Sequence, residues 1–223
     1  HVKPGLNSLL NALMEANLYN INQIFLENGD HDEKGEQVVI DFPIMIIGES
    51  KNGCTIIGGL KIEGKEEDDV IVKHLTISQS KENGVFGRDG MSFHLFHLDI
   101  VKSESSGVIA RWTKRNTMSN CQVSRSKESG VRAWNGGLIK MNGSGTSIHN
   151  NVTGGSSGHY GLLTSLSASS IHLLSPLTKE SVSINNGDGG NYGGDGFIGI
   201  VDNEGTIIET IQGAEEISEE DDY

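Results

Sequence analysis

Side chains able to act as acids, bases or hydrogen-bond donors recur in this sequence at a fixed spacing of 23 positions. Two such sets lie two positions apart, and they are His74, His97 and Asn120, and Thr76, Asp99 and Gln122. If copies of a repeat stack on one another, each set becomes a column on consecutive layers. A carboxylate beside an imidazole or a guanidinium is the combination that general acid–base catalysis uses. We therefore take Asp99, His97 and Arg111 as the candidate catalytic residues.

A second group of columns combines guanidinium groups with indole rings. Arg88 and Arg111 are also 23 positions apart, Trp112 follows directly, and Arg132 and Trp134 belong to the next copy. A Trp ring flanked by Arg side chains is typical of surfaces that stack sugar rings and donate hydrogen bonds to their oxygens. The candidate substrate-binding residues are His74, Arg88, Trp112, Arg132 and Trp134. For the columns themselves we favour the simpler interpretation that they are polar ladders of an exposed sheet, with the Trp rings covering a corner; sugar binding and catalysis are the alternatives.

The elements that would position these residues follow from the repeat itself. Three ungapped copies of one pattern occupy residues 74–85, 97–108 and 120–131. Within a copy the apolar residues alternate, as Leu75 and Ile77 do, which predicts strands with one face inward. Short strands, polar corners and about 23 residues per coil predict a single parallel β-helix, with coils about 4.8 Å apart. We expect positive φ at the corner glycines Gly84, Gly107 and Gly130.

We expect one domain over residues 1–223. The apolar residues between Leu6 and Leu18 recur at helical spacing, which predicts an amphipathic helix that caps the open end of the β-helix. On this prediction residues 1–36 hold the helical cap and first strand, 37–212 hold the coils, and 213–223 form an acidic, solvated tail.

The opening coils resemble a known group of folds. Ile-Phe-Leu-Glu-Asn-Gly at 24–29, Val-Ile-Asp-Phe-Pro-Ile-Met-Ile-Ile-Gly-Glu at 39–49 and Thr-Ile-Ile-Gly-Gly at 55–59 carry the resemblance. They resemble the start of right-handed parallel β-helix proteins with the pectate-lyase-like fold. That group includes pectin methylesterases, pectate lyases, periplasmic copper-handling repeat proteins and the β-helix region of F-box-only proteins. The resemblance implies an all-β, right-handed parallel β-helix, and it implies no particular activity.

Motifs of several enzymes in this group are absent from the chain. Pectin methylesterases carry Gln-Asp-Thr and Gly-Arg-Pro-Trp segments, polygalacturonases carry Asn-Thr-Asp and Gly-His-Gly, and mannuronan epimerases carry Asp-Pro-His-Asp, none of which occurs. Pectate lyases have less regular motifs, so a polysaccharide lyase stays open as an alternative.

The composition of the chain limits the classes of molecule that it is expected to bind. The formal net charge of −13 and the pI near 5.0 disfavour nucleic acid and anionic membranes, because phosphate groups need a cationic surface. Cys54 and Cys121 are too few for a disulfide framework. No metal ligand set is predicted and no cofactor is expected. Calcium at the glycine-rich segment 187–196 remains the alternative.

These observations favour a non-catalytic β-helix module that presents a rigid face to a polysaccharide or to another protein. The first alternative is a polysaccharide lyase that uses Asp99, His97 and Arg111. The second is a structural repeat protein of a virus or a cell surface. Oligomeric state and localisation are not predicted.

Overall fold

The computed structural model describes residues 1–213, and the expected acidic tail from Ala214 onward lies outside the described residues. The chain forms a parallel β-solenoid of about nine turns with about 23 residues per turn. Strands occupy 52% of the chain and helices 8%, which confirms the all-β prediction. No helix among the described residues is long and apolar enough to cross a membrane.

The strands and helices follow one another around the coils. In chain order they are β1 (Gly5–Leu6), α1 (Ser8–Tyr19), β2 (Gln23–Leu26), β3 (Gly29–Ile40), β4 (Ile44–Gly48), β5 (Cys54–Lys73), β6 (Thr76–Ser78), β7 (Val85–Phe96), β8 (Asp99–Val101), β9 (Val108–Arg111), β10 (Asn116–Ser119), β11 (Gln122–Ser124), β12 (Val131–Trp134), β13 (Leu138–Asn142), β14 (Ser147–His149), β15 (Leu162–Ser165), β16 (Ser170–Leu174), α2 (Lys179–Val182), β17 (Ser183–Ile184), β18 (Tyr192–Gly194), β19 (Phe197–Val201) and β20 (Ile207–Gln212).

Each regular turn contributes one strand to each of three parallel ladders. Ladder A contains β1, β3, β5, β6, β8, β11, β14 and β17. Ladder B contains β3, β5, β7, β9, β12, β15 and β18. Ladder C contains β2, β4, β5, β7, β10, β13, β16 and β19. The long strands β3, β5 and β7 continue around corners and therefore belong to more than one ladder, and β20 closes ladder C by pairing antiparallel with β19.

The interior consists of aligned aliphatic side chains. Ile77 pairs with Ile100 and Ile100 with Val123 in ladder A, and all three are fully buried. Beyond this point the spacing lengthens, because Val123 pairs with Ile148 and Ile148 with Ser183. The 23-residue repeat is thus confirmed for the middle coils, and later turns carry insertions.

The corners are built differently from the expectation. Positive φ falls on non-glycine residues such as His97 (54°), Lys102 (59°) and Trp112 (57°), whereas Gly84, Gly107 and Gly130 are not in that region. These glycines serve close packing instead. A Cβ at Gly107 would lie 2.2 Å from Val123 Cγ1 in the next coil, and Gly84 and Gly130 are equally crowded. The prediction of positive φ at the three glycines was wrong. Glycine is needed there because neighbouring coils approach too closely for a Cβ, and not because of the backbone conformation.

Helix α1 covers the first turn but buries only one side. Leu9, Leu13 and Ala16 are buried, while Leu10 and Met14 are exposed, so only part of the apolar pattern predicted for the helix faces the solenoid. Beneath the helix, the buried carboxylate of Glu33 accepts a hydrogen bond from the Leu9 backbone N–H at 2.9 Å. Burial raises the pKa of Glu33, and hydrogen bonds from the helix N-terminus oppose that rise.

Candidate functional site

The outer surface of ladder B carries most of the residues predicted to bind substrate. Arg88 pairs with Arg111 and Arg111 with Trp134 in consecutive strands, and Arg132 lies two residues before Trp134 on the same side. These side chains alternate with buried inward residues such as Ala110, so they point away from the core. The stacking predicted from the spacing is therefore present.

Indole and guanidinium groups pack directly against one another here. The guanidinium carbon of Arg111 lies 3.8 Å from the ring centre of Trp112 and 4.4 Å from that of Trp134. The guanidinium of Arg132 lies 4.7 Å from the same Trp134 ring. We call these four residues the Trp–Arg strip. Each cation–π contact contributes about 0.5–1 kcal/mol at an exposed site, and together they hold otherwise flexible Arg side chains in place.

The positive charges of the strip are not neutralised by carboxylates. Within residues 1–213 no carboxylate lies at ion-pair distance from Arg111 or Arg132. Arg132 donates from Nε to the hydroxyl of Ser165 at 3.1 Å, and Arg111 Nε is buried without a hydrogen-bond partner. Burial lowers the pKa of Arg132, while nearby Glu128 opposes that shift. An arginine stays protonated at such a site, so both guanidinium groups of the strip keep their positive charge.

Arg88 differs from the other two arginines of the ladder. Its guanidinium forms an ion pair with Asp89 and lies 3.6 Å from a Glu63 oxygen. The end of ladder B nearer the amino terminus is thereby closer to electrically neutral.

The Trp–Arg strip leads into a cleft of about 520 Å³ on later turns of the same ladder. Register continues from Trp134 to Ser165 and from Arg132 to Leu163. The cleft is lined by Arg132, Gly158, His159, Tyr160, Leu163, Thr164, Ser165, Tyr192, Gly193, Gly194, Asp195 and Gln212. A rim of Tyr, His, Asp and Gln side chains therefore extends the row of aromatic and hydrogen-bonding groups.

The glycine-rich segment 187–196 shapes this cleft. A Cβ at Gly193 would lie 2.4 Å from the ring of Tyr160, so the missing side chain is what lets Tyr160 lie against the strand. Burial raises the pKa of Tyr192 to about 12, and its hydroxyl donates to the Lys179 carbonyl. The repeat pattern did not indicate Tyr160, Tyr192 or the rest of the rim. The 23-residue period is lost after Val131, and this loss was the one feature of the sequence that pointed to an irregular surface there.

The three predicted catalytic residues do not lie on one face. Asp99 begins β8 in ladder A, whereas Arg111 ends β9 in ladder B. Asp99 Oδ1 lies 2.7 Å from Lys51 Nζ, so its charge is already paired. His97 occupies the corner before β8, where its ring stacks on that of His74 with centres 5.2 Å apart and planes 11° apart. The structure thus gathers the two histidines and Asp99 at one edge, and Arg111 elsewhere.

Metal-binding and thiol chemistry find little support in the described part of the chain. Over residues 1–213 no three His, Cys, Asp or Glu side chains come together as a potential metal site. Cys54 and Cys121 are both free and buried, and burial raises the pKa of each thiol to about 11. A thiol with such a pKa is a poor nucleophile at neutral pH. Calcium at 187–196 stays a prediction.

Comparisons with known proteins identify no relative of this chain. No family model matches the chain, and no curated protein or solved structure is significantly similar to it. Membership of the pectate-lyase-like group, suggested by residues 24–59, therefore stays a prediction.

Proposed function

We propose that the chain is a saccharide-recognition module that binds with the outer face of ladder B, without turnover. The observation that carries this proposal is the guanidinium of Arg111 packed against the rings of both Trp112 and Trp134 on the outward side of the ladder. A sugar ring presents C–H faces that suit an indole and hydroxyls that accept from a guanidinium. Trp112 is 49% exposed and so keeps a free surface for stacking.

The shape of this face suits an elongated ligand. The row from Arg88 to Ser165 and the cleft beyond it involve β7, β9, β12, β15 and β18, which are five consecutive strands of one ladder. Four steps of about 4.8 Å give a length of roughly 19 Å. A polymer chain can occupy such a row with several units, whereas a small metabolite would use only the cleft.

The charge of the binding face is compatible with both neutral and acidic saccharides. The net charge of −13 repels polyanions at long range, yet Arg111 and Arg132 form a local positive region and make no ion pair within residues 1–213. At physiological ionic strength repulsion from distant charges is screened over about 8 Å, so the local groups dominate contact. We therefore propose binding of uncharged or uronic oligosaccharides.

Recognition without catalysis fits the placement of the acid–base groups better. A lyase would need a base beside the bound sugar. The predicted base Asp99 lies on another ladder in an ion pair with Lys51, so on this face the role would fall to His159, Tyr160 or Asp195 of the cleft. The candidates for catalysis, Asp99 and His97, thus lie away from the Trp–Arg strip.

The test is a titration with a panel of neutral and uronic oligosaccharides, with and without calcium, followed by tryptophan fluorescence and by assay of chain cleavage. The chain contains only two Trp residues, so the fluorescence signal reports on this face alone. We expect saturable binding without cleavage. Phe96→Ala is the matched control, because Phe96 is an outward aromatic of ladder C beneath Lys73, and that variant should bind like the parent.

Three results would overturn the proposal. Absence of binding to every oligosaccharide in the panel would favour a protein partner or a structural role. Binding that survives in a Trp112→Ala, Trp134→Ala double variant would place the saccharide elsewhere. Cleavage of any oligosaccharide in the panel would establish an enzyme, and its loss in Asp99→Asn would make Asp99 a catalytic residue.

A further inference from the structure

Helix α1 carries an exposed apolar stripe that covers nothing within the described chain. Leu10, Met14 and Leu18 are 39%, 65% and 71% exposed, and they follow one another at intervals of four residues, so they form one row along the helix. Leu6 lies near one end of this row, and Tyr19 and Ile21 near the other, and all three are also exposed. We call the six residues the cap patch.

The cap patch is large enough to be an interface. A large side chain exposes roughly 150–250 Å² when it is free, so the six exposed fractions correspond to on the order of 600 Å². Specific protein–protein interfaces bury roughly 600–1,000 Å² per partner, so the area of the cap patch lies at the lower end of that range. Isolated patches on monomers rarely exceed this size.

The distribution of charge along the chain favours a second copy of the same chain as the partner of the cap patch. We propose that the cap patch is the interface of a homodimer in which two copies meet end to end through α1. The helix contains one charged residue, Glu15, whereas the chain as a whole carries −13. Two copies meeting side by side would face each other with acidic coils. End-to-end contact extends the coils away from the interface over roughly 40 Å per copy, well beyond the screening length.

The same features disfavour a lipid surface. Helices that lie on membranes combine an apolar face with Lys and Arg on the polar face. The polar positions of α1 are Ser8, Asn11, Glu15 and Asn17, with no basic residue.

The stripe also fixes how the two helices pack. Leu10 and Leu18 lie four residues before and after Met14, so the row is symmetric about Met14. In a two-fold dimer each contact occurs twice, and an antiparallel arrangement centred on Met14 sets Leu10 of one copy against Leu18 of the second copy. Met14 then lies on the axis and meets its own counterpart.

The first test is the mass of the full chain in solution, measured by light scattering and sedimentation equilibrium. We expect a dimer that persists at 1 M salt, where surface charge pairs are screened. Met14→Glu should convert it to a monomer, because two carboxylates would meet on the axis. Ile208→Glu is the matched control, since Ile208 is 66% exposed at the opposite end of the solenoid, and that variant should remain a dimer.

Cross-linking tests the geometry. Met14→Cys should form a disulfide-linked dimer under mild oxidation. Leu10→Cys and Leu18→Cys should each cross-link poorly alone and well when mixed, because the pairing joins unlike positions. The native thiols do not interfere, since both are buried. Met14 is exposed, so circular dichroism should show the fold unchanged in each variant.

A monomer at all concentrations would overturn the proposal, and so would a dimer that Met14→Glu leaves intact. Sedimentation of a monomeric parent chain with phosphatidylcholine vesicles, lost in Met14→Glu, would assign the patch to a lipid surface instead. Efficient self-cross-linking of Leu18→Cys alone would refute the antiparallel arrangement.

Discussion

Two regions of this solenoid carry polar residues in regular columns, and they differ in how their charged side chains are paired. On ladder A, Asp99 is paired with Lys51 and the neighbouring His97 stacks on His74. On ladder B, Arg111 packs against two indole rings and forms no ion pair with a carboxylate of residues 1–213. The charge of Asp99 is therefore paired with a cation of the chain, whereas the charge of Arg111 is packed against aromatic rings.

This difference shows that a column in a repeat sequence is not yet a site. Stacking places like residues on consecutive coils wherever the repeat is regular. Only partners from outside the column, such as Lys51 for Asp99, decide whether a charge remains available. The predictions below test whether the two regions are as different in energy as they are in geometry.

The largest expected effect comes from a change that disrupts both regions at once. Gly107 lies at the corner between ladder A and ladder B, and a Cβ there would meet Val123 Cγ1 at 2.2 Å. Gly107→Ala should lower the free energy of unfolding by about 2–3 kcal/mol, because an overpacked core must shift. Denaturant unfolding measures this loss. Gly158→Ala is the control, since its Cβ would meet no atom closer than 3.9 Å, and equal loss in both variants would contradict the packing argument.

Removing the central ring of the strip should have the next largest effect. Trp134 contacts the guanidiniums of Arg111 and Arg132. Trp134→Ala should weaken saccharide binding about 30-fold, or ~2 kcal/mol, as expected for an aromatic anchor. Calorimetric titration gives the affinity. His74→Ala, on the ladder A edge, should bind like the parent, and an equal loss there would erase the distinction between the regions.

Replacing the shape of Arg111 while keeping its charge should have a smaller effect. Lys retains the positive charge but not the flat, forked group that lies between Trp112 and Trp134. Arg111→Lys should reduce affinity for the saccharide about 10-fold, or ~1.4 kcal/mol. Unchanged affinity in the same titration would mean that charge alone matters and that the stack is incidental.

The smallest effect is expected at Asp99. Its carboxylate and the Lys51 ammonium are about one quarter exposed, so their ion pair contributes at most about 1 kcal/mol to stability. Asp99→Asn should leave saccharide affinity unchanged and should lower the free energy of unfolding slightly, with less effect at high salt. A tenfold loss of affinity would make ladder A part of the site.

The sequence predicted the repeat, the inward columns and the stacking of Arg88 on Arg111, because these follow from a spacing of 23. It did not predict which ladder each column joins, since that depends on corner geometry. His97 and Trp112 both adopt positive φ at corners, and such a conformation is not evident from residue type.

The cleft residues could not be predicted from the sequence for another reason. Tyr160 and Tyr192 reach ladder B through turns that break the period, so spacing could not place them. The exposed side of α1 was likewise missed, because a pattern of Leu and Met predicts burial but does not say which side of the helix is covered.

The most direct test of the central claim is an NMR titration that observes both regions in one sample. The two indole N–H signals report on ladder B, and the ring signals of His74 and His97 report on ladder A. We predict that a bound oligosaccharide shifts both indole signals and leaves both histidine signals in place. Shifts confined to the histidines, with the indoles unmoved, would contradict the assignment of the binding face to the Trp–Arg strip.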